Sequence, residues 1–461
     1  MDTHHPCDID SMSNTFELLK REVIDTGLCT HCGTCAGLSS STLSMVGTAS
    51  GPLPEPSNDQ QVKLEPVAYD ACPGRGINYP SAYVDVFGQA PENWLIGNHR
   101  GVYIGYSTDP LIRRNAASGG VITQTLLYLF DEGLIDGAVV MHQGLPTPWL
   151  AQPIIAKSRE EILRASQSVY IPTSTNMILS EMEQFEGRLA YVGLPDQVAS
   201  LRTLQRLGHP AASKVRYVLG PYVGTGMYLE AIENYLRSNG VNIDEVTELK
   251  YREGEWPGYL QITTRSGKVL KASKFYYNYL IPFYITRSSL LSVDFTNELT
   301  DISVGDAWHP RFENKGGGYS VVLARSENGE RLLQQMRING LVDLEEINIE
   351  DAISMHAHMI EFKKRGAFIR LQWRRALGKP VPDYGYWPKS IPWPRYLVEA
   401  VVVSIFVICG TRLARKAVQL IPFAVLGPVF SFLRRAWKQV SRSTKRKGLG
   451  FFDFEESGGP Q

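Results

Sequence analysis

The stretch LAYVGLPDQVASLRTLQRLG, residues 189–208, decides the fold. LAYV is an apolar run of strand length, GLP makes a tight turn, and DQVASLRTLQRLG has helical periodicity. A buried strand that turns directly into a helix is the repeating unit of an α/β sheet. The same unit recurs on both sides. Downstream, VRYVLGPYVG reads as a strand and MYLEAIENYLRSNG as its helix. Upstream, GVYIGYS and IDGAVVMH read as strands, with the helix VITQTLLYLFDEGL between them. The expected fold class is mixed α/β (α+β), a central, largely parallel sheet with flanking helices.

The flanks are less regular. Residues 247–330 are strand-rich, with ELKYREG, GYLQITTRSGKVLKASK, DISVGDAW and YSVVLARS. The helix GERLLQQMRING and an irregular helical tail follow. At the other end, a polar lead precedes a helix over Phe16–Ile24. The Ser-, Gly- and Pro-rich SSSTLSMVGTASGPLPEPSNDQQ reads as a loop with one short hairpin, MVGTASGPLPEP. No internal repeat is visible. Four regions are expected: a cysteine-bearing 1–99, an α/β core at 100–240, a C-terminal domain at 241–390, and an apolar, basic helical tail at 391–461.

The cysteines carry the chemistry. Cys29, Cys32 and Cys35 form the run CTHCGTC, and Cys72 precedes Pro73 in DACPGRG. Cys-x-x-Cys-x-x-Cys with a later Cys-Pro is the ligand pattern of a [4Fe–4S] cluster. Gly33 permits the turn that aims three sulfurs inward. Zinc also accepts four thiolates, but three cysteines at this spacing followed by Cys-Pro favour the cluster. Four of the six cysteines fall in this one region, which argues against simple buried small residues. Such clustering fits a metal site in a reducing compartment and not a disulfide framework.

Composition narrows the class. With 461 residues the chain has material for two or three domains and a sizeable core. Apolar content of 43% and charged content of 20% match a folded soluble protein. Lysine plus arginine balances aspartate plus glutamate, so the charge points to no nucleic-acid partner. The polar start, MDTHHPCDIDSMSNTFELLKREV, lacks the apolar run of a secretory signal, and a cytoplasmic location is expected.

The tail complicates that location. LVEAVVVSIFVICG and AVQLIPFAVLGPVFSFL are apolar, separated by RLARK and followed by RRAWKQVSRSTKRKG. Between Arg412 and Lys447 there are about ten Lys and Arg and no Asp or Glu. The first run is short for a span of roughly 20 residues, and Pro422 and Gly427-Pro428 interrupt the second. Apolar runs flanked by basic residues are expected to lie peripherally on the inner face of a membrane. The alternative is a helical pair docked on the body or on a partner.

Other motifs are weaker alone. Ser118, Gly119 and Gly120 form a turn directly before a helix that also carries Thr123. Unobstructed N–H groups there suit a phosphate or a flavin edge, though Ser-Gly-Gly is also a plain cap. The Pro195–Gln197 turn stands at the carboxyl end of a strand, where α/β sheets bind ligands. Gly305-Asp306 ends another strand; the acid suits a ribose or a ring nitrogen, or caps a turn. His356 and His358 do not share a helix face, so a satisfied polar role is expected. There is no P-loop, Ser–His–Asp signature or complete GxGxxG.

Taken in order, CxxCGxC, CPG, the SGG helix start, GLPDQVASLR, DFTNELTDISVGDAW, KGGGYSVV and KKRGAFIR…GKPVPDYGY are family-specific. The chain resembles the beta subunits of coenzyme F420-reducing hydrogenase and formate dehydrogenase over roughly residues 25–385. That wider family includes ferredoxin-dependent divinyl and hydroxymethyl chlorophyll reductases. The resemblance implies a bound FAD and iron–sulfur clusters that pass electrons between the flavin and a partner or substrate. It implies FAD contacts at Ser118, Gly119, Gly120, Thr123, Pro195, Gln197, Gly305 and Asp306, with the cluster on Cys29, Cys32, Cys35 and Cys72. It also implies a redox partner, ferredoxin or a larger redox subunit, and a small-molecule substrate that the motifs do not identify.

Departures from the family pattern are concentrated. Asp196 stands where the turn usually reads GTPCQ. The strand end at Pro221 lacks its usual cysteine. Ser289 and Ser292 stand where the family has Cys-x-x-Cys. All four ligands of a second cluster are missing together, so one cluster is expected. No catalytic acid is assigned; Asp196 is a candidate only by position. The expected activity is a flavin- and cluster-dependent oxidoreductase. The alternatives are a non-catalytic electron-transfer subunit of a larger complex, or an accessory protein of a membrane-associated surface-polysaccharide pathway.

Overall fold

A computed structural model of the chain describes residues 15–58, 61–273, 278–313, 315–446 and 453–457. The expected polar lead before residue 15 and the basic end at 447–452 lie outside the described residues. Among the described residues fifteen strands form: β1 Leu43–Thr48, β2 Gly51–Pro56, β3 Gly101–Ser107, β4 Gly137–Gln143, β5 Ala151–Ala156, β6 Leu189–Val192, β7 Val215–Pro221, β8 Val246–Glu253, β9 Tyr259–Thr264, β10 Val269–Ser273, β11 Ile302–Asp306, β12 Ser320–Ala324, β13 Val342–Glu346, β14 Tyr386–Pro388 and β15 Phe454–Glu456. Eight of them make the central sheet, in the order β13-β3-β12-β11-β7-β6-β4-β5.

The pairings β11–β7, β7–β6 and β6–β4 are parallel. The sheet is more mixed than expected, because β12 enters antiparallel between β3 and β11, β13 pairs antiparallel with β3, and β5 returns as a hairpin on β4. Strands β3, β11, β7, β6 and β4 still run in one direction, so their carboxyl ends line one edge.

The alternation of side chains across β6 and β7 builds two cores. Leu189, Tyr191 and Val218 face a cluster that includes Val198, Leu201 and Leu204 of the helix Pro195–Arg206. Ala190 and Leu219 face the opposite cluster, with Leu126, Leu127 and Leu129 of the helix Val121–Asp131. Period-2 alternation in a strand sends neighbours to opposite faces, so both faces are covered. The strand LAYV and the helix DQVASLRTLQR therefore form as expected. The hairpin β1–β2 forms within the expected loop, in register from Leu43↔Pro56 to Thr48↔Gly51.

The strand-rich half divides. β8, β9 and β10 form a separate antiparallel sheet, whose Tyr251, Leu260 and Ile262 pack on Ala231, Ile232 and Tyr235 of the helix Glu230–Ser238. β11 and β12 join the main sheet instead.

The tail is attached to the body. The helix Trp393–Cys409 buries Arg395 and Glu399. Arg395 pairs with Glu361 at 3.1 Å and with Glu399 at 2.6 Å, and Arg370 also pairs with Glu399. Arg415 of the helix Arg412–Gln419 pairs with Glu230 at 2.8 Å and donates to the Phe283 carbonyl. After the helix Phe423–Arg446 the chain returns, and β15 pairs with β14. Phe454 stacks among Trp94, Phe368 and Tyr386.

Candidate functional site

The cysteine loop sits on the carboxyl edge of the sheet, against the start of the helix Pro195–Arg206. Three bonds clamp it there. The Asn176 N–H donates to the Cys32 carbonyl at 3.0 Å, Ser174 Oγ donates to the His31 carbonyl at 2.9 Å, and the Thr34 and Ser200 hydroxyls meet at 2.7 Å. Gly33 is left-handed at φ 87°, and a Cβ there would lie 2.9 Å from the Met177 nitrogen. The glycine therefore serves both the turn and the close approach of the loop to residues 174–177.

Cys29, Cys32, Cys35 and Cys72 lie near one another. Cys32 is buried and the other three are partly covered. Burial pushes the Cys72 thiol up to about 12, with repulsion from Cys32 adding to it. Burial likewise raises Cys29, which feels Cys32 and Cys72, and Cys35, which feels all three others. Four desolvated thiols that repel one another need a multiply charged cation to hold them as thiolates. Among the described residues, no three His, Cys, Asp or Glu side chains converge closely enough to hold a single metal ion. The four thiols match the donor set of a [4Fe–4S] cube, one thiolate per iron, and of a four-thiolate zinc site.

The second group of candidates lies along the same edge. Ser118, Gly119 and Gly120 end the connection from β3, Gly305 and Asp306 end β11, and Pro195 and Gln197 follow β6. Gly119 is packed so closely that a Cβ would lie 2.5 Å from the Gly105 carbonyl oxygen. Its N–H and Ser118 Oγ both meet Ser320 Oγ, at 2.8 and 2.9 Å. The glycine is required by the fold before any ligand arrives. Thr123 lies half-buried in the first turn of the following helix. Gln197 is a clamp: its side chain accepts from the Leu194 N–H at 2.8 Å and donates to the Thr173 carbonyl at 2.8 Å. Asp306 accepts from Arg252 at 3.1 Å and from Trp256 Nε1 at 2.7 Å.

Two arginines unmarked in the sequence, Arg252 and Arg113, stand beside these residues, with Gly317 of the KGGGYSVV motif. Arg252 is 2% exposed and ties Asp306 to the Ala117 carbonyl, yet its Nε is buried without a hydrogen-bond partner. Arg113 donates Nε to the Gly318 carbonyl at 3.0 Å and stacks on Tyr106, and its Nη2 is buried without a partner. Gly317 is left-handed at φ 64°, and a Cβ added there would lie 3.0 Å from that Nη2. Orphaned guanidinium N–H groups beside a glycine-rich loop and a helix start suit an anionic cofactor group. Isolated arginines in amphipathic elements gave no signal beyond a solvated face.

The positions that the family pattern reserves for a second cluster also converge. Ser289 Oγ accepts from the Gly226 N–H at 2.9 Å and meets Thr286 Oγ at 2.6 Å. The Lys363 ammonium donates to the Ser289 carbonyl at 3.0 Å. Asn297 Nδ2 bridges the Gly193 and Pro221 carbonyls at 2.8 and 3.3 Å. Burial raises Asp196 to about 6, against the attraction of Lys363 and with repulsion from Asp294. Burial lowers Lys363 to about 8, against the attraction of Asp196. These positions hold a lysine-centred polar network. His356 is a core residue, lodged between Tyr222 and Phe295 and lowered to about 4 by burial.

Comparison with known proteins names the family. Residues 102–180 and 186–350 match, in that order, the N-terminal and C-terminal models of the coenzyme F420 hydrogenase/dehydrogenase beta subunit. The chain belongs to this family of oxidoreductases. It is 23% identical to a coenzyme F420 hydrogenase subunit beta of Methanothermobacter thermautotrophicus, over 62% of this chain and 99% of the relative. It is 22% identical to a coenzyme F420-dependent sulfite reductase of Methanocaldococcus jannaschii, over 72% of this chain and 50% of that relative. The chain thus spans half the length of the reductase. A chain of the F420-reducing [NiFe] hydrogenase complex from Methanosarcina barkeri shares the fold, with TM-score 0.51 and 20% identity over 62% of this chain and 96% of that one. The cysteine loop and the tail lie outside both matched segments.

Proposed function

We propose that this chain is an electron-transferring oxidoreductase with one [4Fe–4S] cluster on Cys29, Cys32, Cys35 and Cys72 and FAD in the adjoining crevice. The observation that carries the reading is the gathering of four thiols, one buried and three partly covered, whose thiolate forms would repel one another without a cation between them. The buried, unpartnered N–H groups of Arg113 and Arg252 lie beside the Ser118–Gly120 turn and Asp306, which end the connection from β3 and the strand β11 on the carboxyl edge of the sheet. A bound flavin would supply the conversion between single electrons and a hydride. The chain's own residues would hold the anionic part of the cofactor with Arg113 and the Ser118–Gly120 turn, and keep Arg252 oriented through Asp306. The polar network around Lys363 supports a single metal relay. Anaerobic purification with iron, sulfide and flavin quantified together tests the reading. About four irons, about four sulfides and one flavin per chain are expected. Stoichiometric zinc, about eight irons, or a chain free of flavin would each overturn the corresponding part.

A second reading is a subunit that docks on a larger redox complex and leaves substrate chemistry to its partner. The membership of the fold neighbour in a hydrogenase complex favours it. A partner that co-purifies in stoichiometric amount separates the two readings.

A further inference from the structure

The tail helices present two faces of different character. In the helix Trp393–Cys409, Arg395 and Glu399 point into the body, while Leu397, Val401, Ile405 and Ile408 lie on the opposite side and are exposed. Their spacing of four, four and three residues makes one continuous stripe along a helix. The helix Phe423–Arg446 repeats the pattern. Leu426 and Phe430 pack against the body, and Val425, Val429, Phe432 and Leu433 are exposed. Between the two helices, Leu413 is 79% and Leu420 85% exposed. Exposed apolar residues scattered singly are ordinary, but their concentration in one stretch of three consecutive helices is not.

Beyond Glu399 the charges that the tail itself carries up to Phe452 are all of one sign. Arg412, Lys416 and Arg435 are exposed, and the sequence has no Asp or Glu from Ala400 to Phe452. Arg415, by contrast, is paired with Glu230. Among the described residues, no single helix is long and apolar enough to cross a membrane; the pair Trp393–Cys409 and Arg412–Gln419 passes that test only together, across a 71° bend. Short bent helices with an apolar face and a basic border have the build of an interfacial element, not of a span.

We propose that this face of the tail lies on an anionic lipid surface, with the apolar stripe in the acyl boundary and the basic residues at the headgroups. Charge complementarity selects the occupant. A second copy would bring the same uncompensated positive charges face to face, whereas anionic headgroups neutralise them. The buried Arg–Glu network and the β14–β15 pairing hold both ends of the tail to the body. The surface therefore fixes the orientation of the whole chain and is independent of the redox reading.

Co-sedimentation of the full chain with vesicles tests this. One set is phosphatidylcholine alone; the other is equal parts phosphatidylcholine and phosphatidylglycerol. Binding to the anionic set is expected, weakened by high salt. Arg412→Gln/Lys416→Gln/Arg435→Gln should bind on the order of a hundredfold more weakly. Leu397→Gln/Val401→Gln/Ile405→Gln should bind at least roughly tenfold more weakly and lose the salt-resistant part. Both variants change exposed side chains, and unchanged denaturation midpoints confirm that they fold. Failure of the wild-type chain to sediment with anionic vesicles would overturn the proposal, as would equal binding by all three proteins. A dimer that the apolar triple variant dissociates, with no vesicle binding by either form, would assign the face to a second copy instead.

Discussion

Lys364→Met should destabilise the protein strongly at alkaline pH and weakly at acid pH. Lys364 and Glu298 form an ion pair at 2.7 Å with both side chains fully buried. Tyr83 donates a further hydrogen bond to the same carboxylate. Burial raises Glu298 from 4.5 to about 7, even though Lys364 pulls it down. That rise corresponds to about 3 kcal/mol held against ionisation in the native state. The sign follows from linkage. A group whose folded pKa is raised contributes stability that is fully present below about 4.5 and lost as pH rises through about 7. Removing Lys364 raises Glu298 further. Above neutrality the variant then keeps either an unpaired buried carboxylate or a proton taken up at a cost, a loss of about 3–5 kcal/mol. Near pH 5 the carboxyl is protonated in both proteins, and only the exchange of side-chain volume remains, under about 1.5 kcal/mol. Urea denaturation followed by near-ultraviolet circular dichroism at acid, neutral and alkaline pH measures the difference. Glu298→Gln added to Lys364→Met should recover most of the alkaline loss. A loss independent of pH, or a double variant no better than the single, would refute the buried-pair reasoning.

Three further outcomes follow from particular contacts. Cys32→Ser should remove the iron–sulfur part of the visible absorption of anaerobically purified protein, leave the flavin bands and bring iron near background, whereas Cys409→Ser should change none of these. Gly119→Val forces a side chain to within 2.5 Å of the Gly105 carbonyl oxygen and should cost about 3 kcal/mol of stability in a melt; Arg113→Met should leave stability within about 1 kcal/mol and reduce bound flavin per chain. Glu399→Gln leaves Arg370 and Arg395 buried without that carboxylate and should cost about 3–5 kcal/mol, while Leu397→Gln, on the outer face of the same helix, should stay within about 0.5 kcal/mol by the same denaturation measurement.

The parts legible in the sequence are those that local periodicity encodes. LAYV, GVYIGYS and the helix VITQTLLYLFD show their burial residue by residue, because each side chain's direction follows from its position in a strand or helix. The order of strands is not local. Nothing in SVVLA marks it as the strand that enters between β3 and β11 in the opposite direction; only the pairings Ser320↔Gly105 and Ser320↔Asp306 do. The site divides in the same way. Cysteines at fixed spacing in a short loop announce themselves, because few other roles require them. The run Lys363-Lys364-Arg365 belongs to the family motif KKRGAFIR but carries no local mark of burial, yet the three are 2%, 0% and 2% exposed. Glu361, the partner of Arg365, stands one helical turn away, but Asp196 and Glu298 come from two distant segments, and the burial is visible only once those segments meet. The tail likewise shows its apolar and basic composition in sequence. The buried pair Arg395 and Glu399 fixes which face is left outside.

The lysine-centred network explains why the four departures from the family pattern occur together. A thiolate ligand is matched to iron, and its site needs no other donor. An aspartate and a serine in the same volume, Asp196 and Ser289, need hydrogen-bond donors and positive charge, or their burial is costly. Here the donors are present: the Gly226 N–H and Thr286 hydroxyl at Ser289, Asn297 at the Pro221 carbonyl, and the Lys363 ammonium at the Ser289 carbonyl. Lys363 also faces Asp196 and Asp294, and burial holds the acid Asp196 up and the base Lys363 down, to about 6 and about 8. Between those values both are charged, so the pair compensates itself without a metal. A cysteine restored at any one of these positions would meet an ammonium and satisfied carbonyls in place of vacant iron sites. The network is an alternative, internally consistent filling of the volume, and under the proposed function it leaves Cys29, Cys32, Cys35 and Cys72 as the one set of metal ligands.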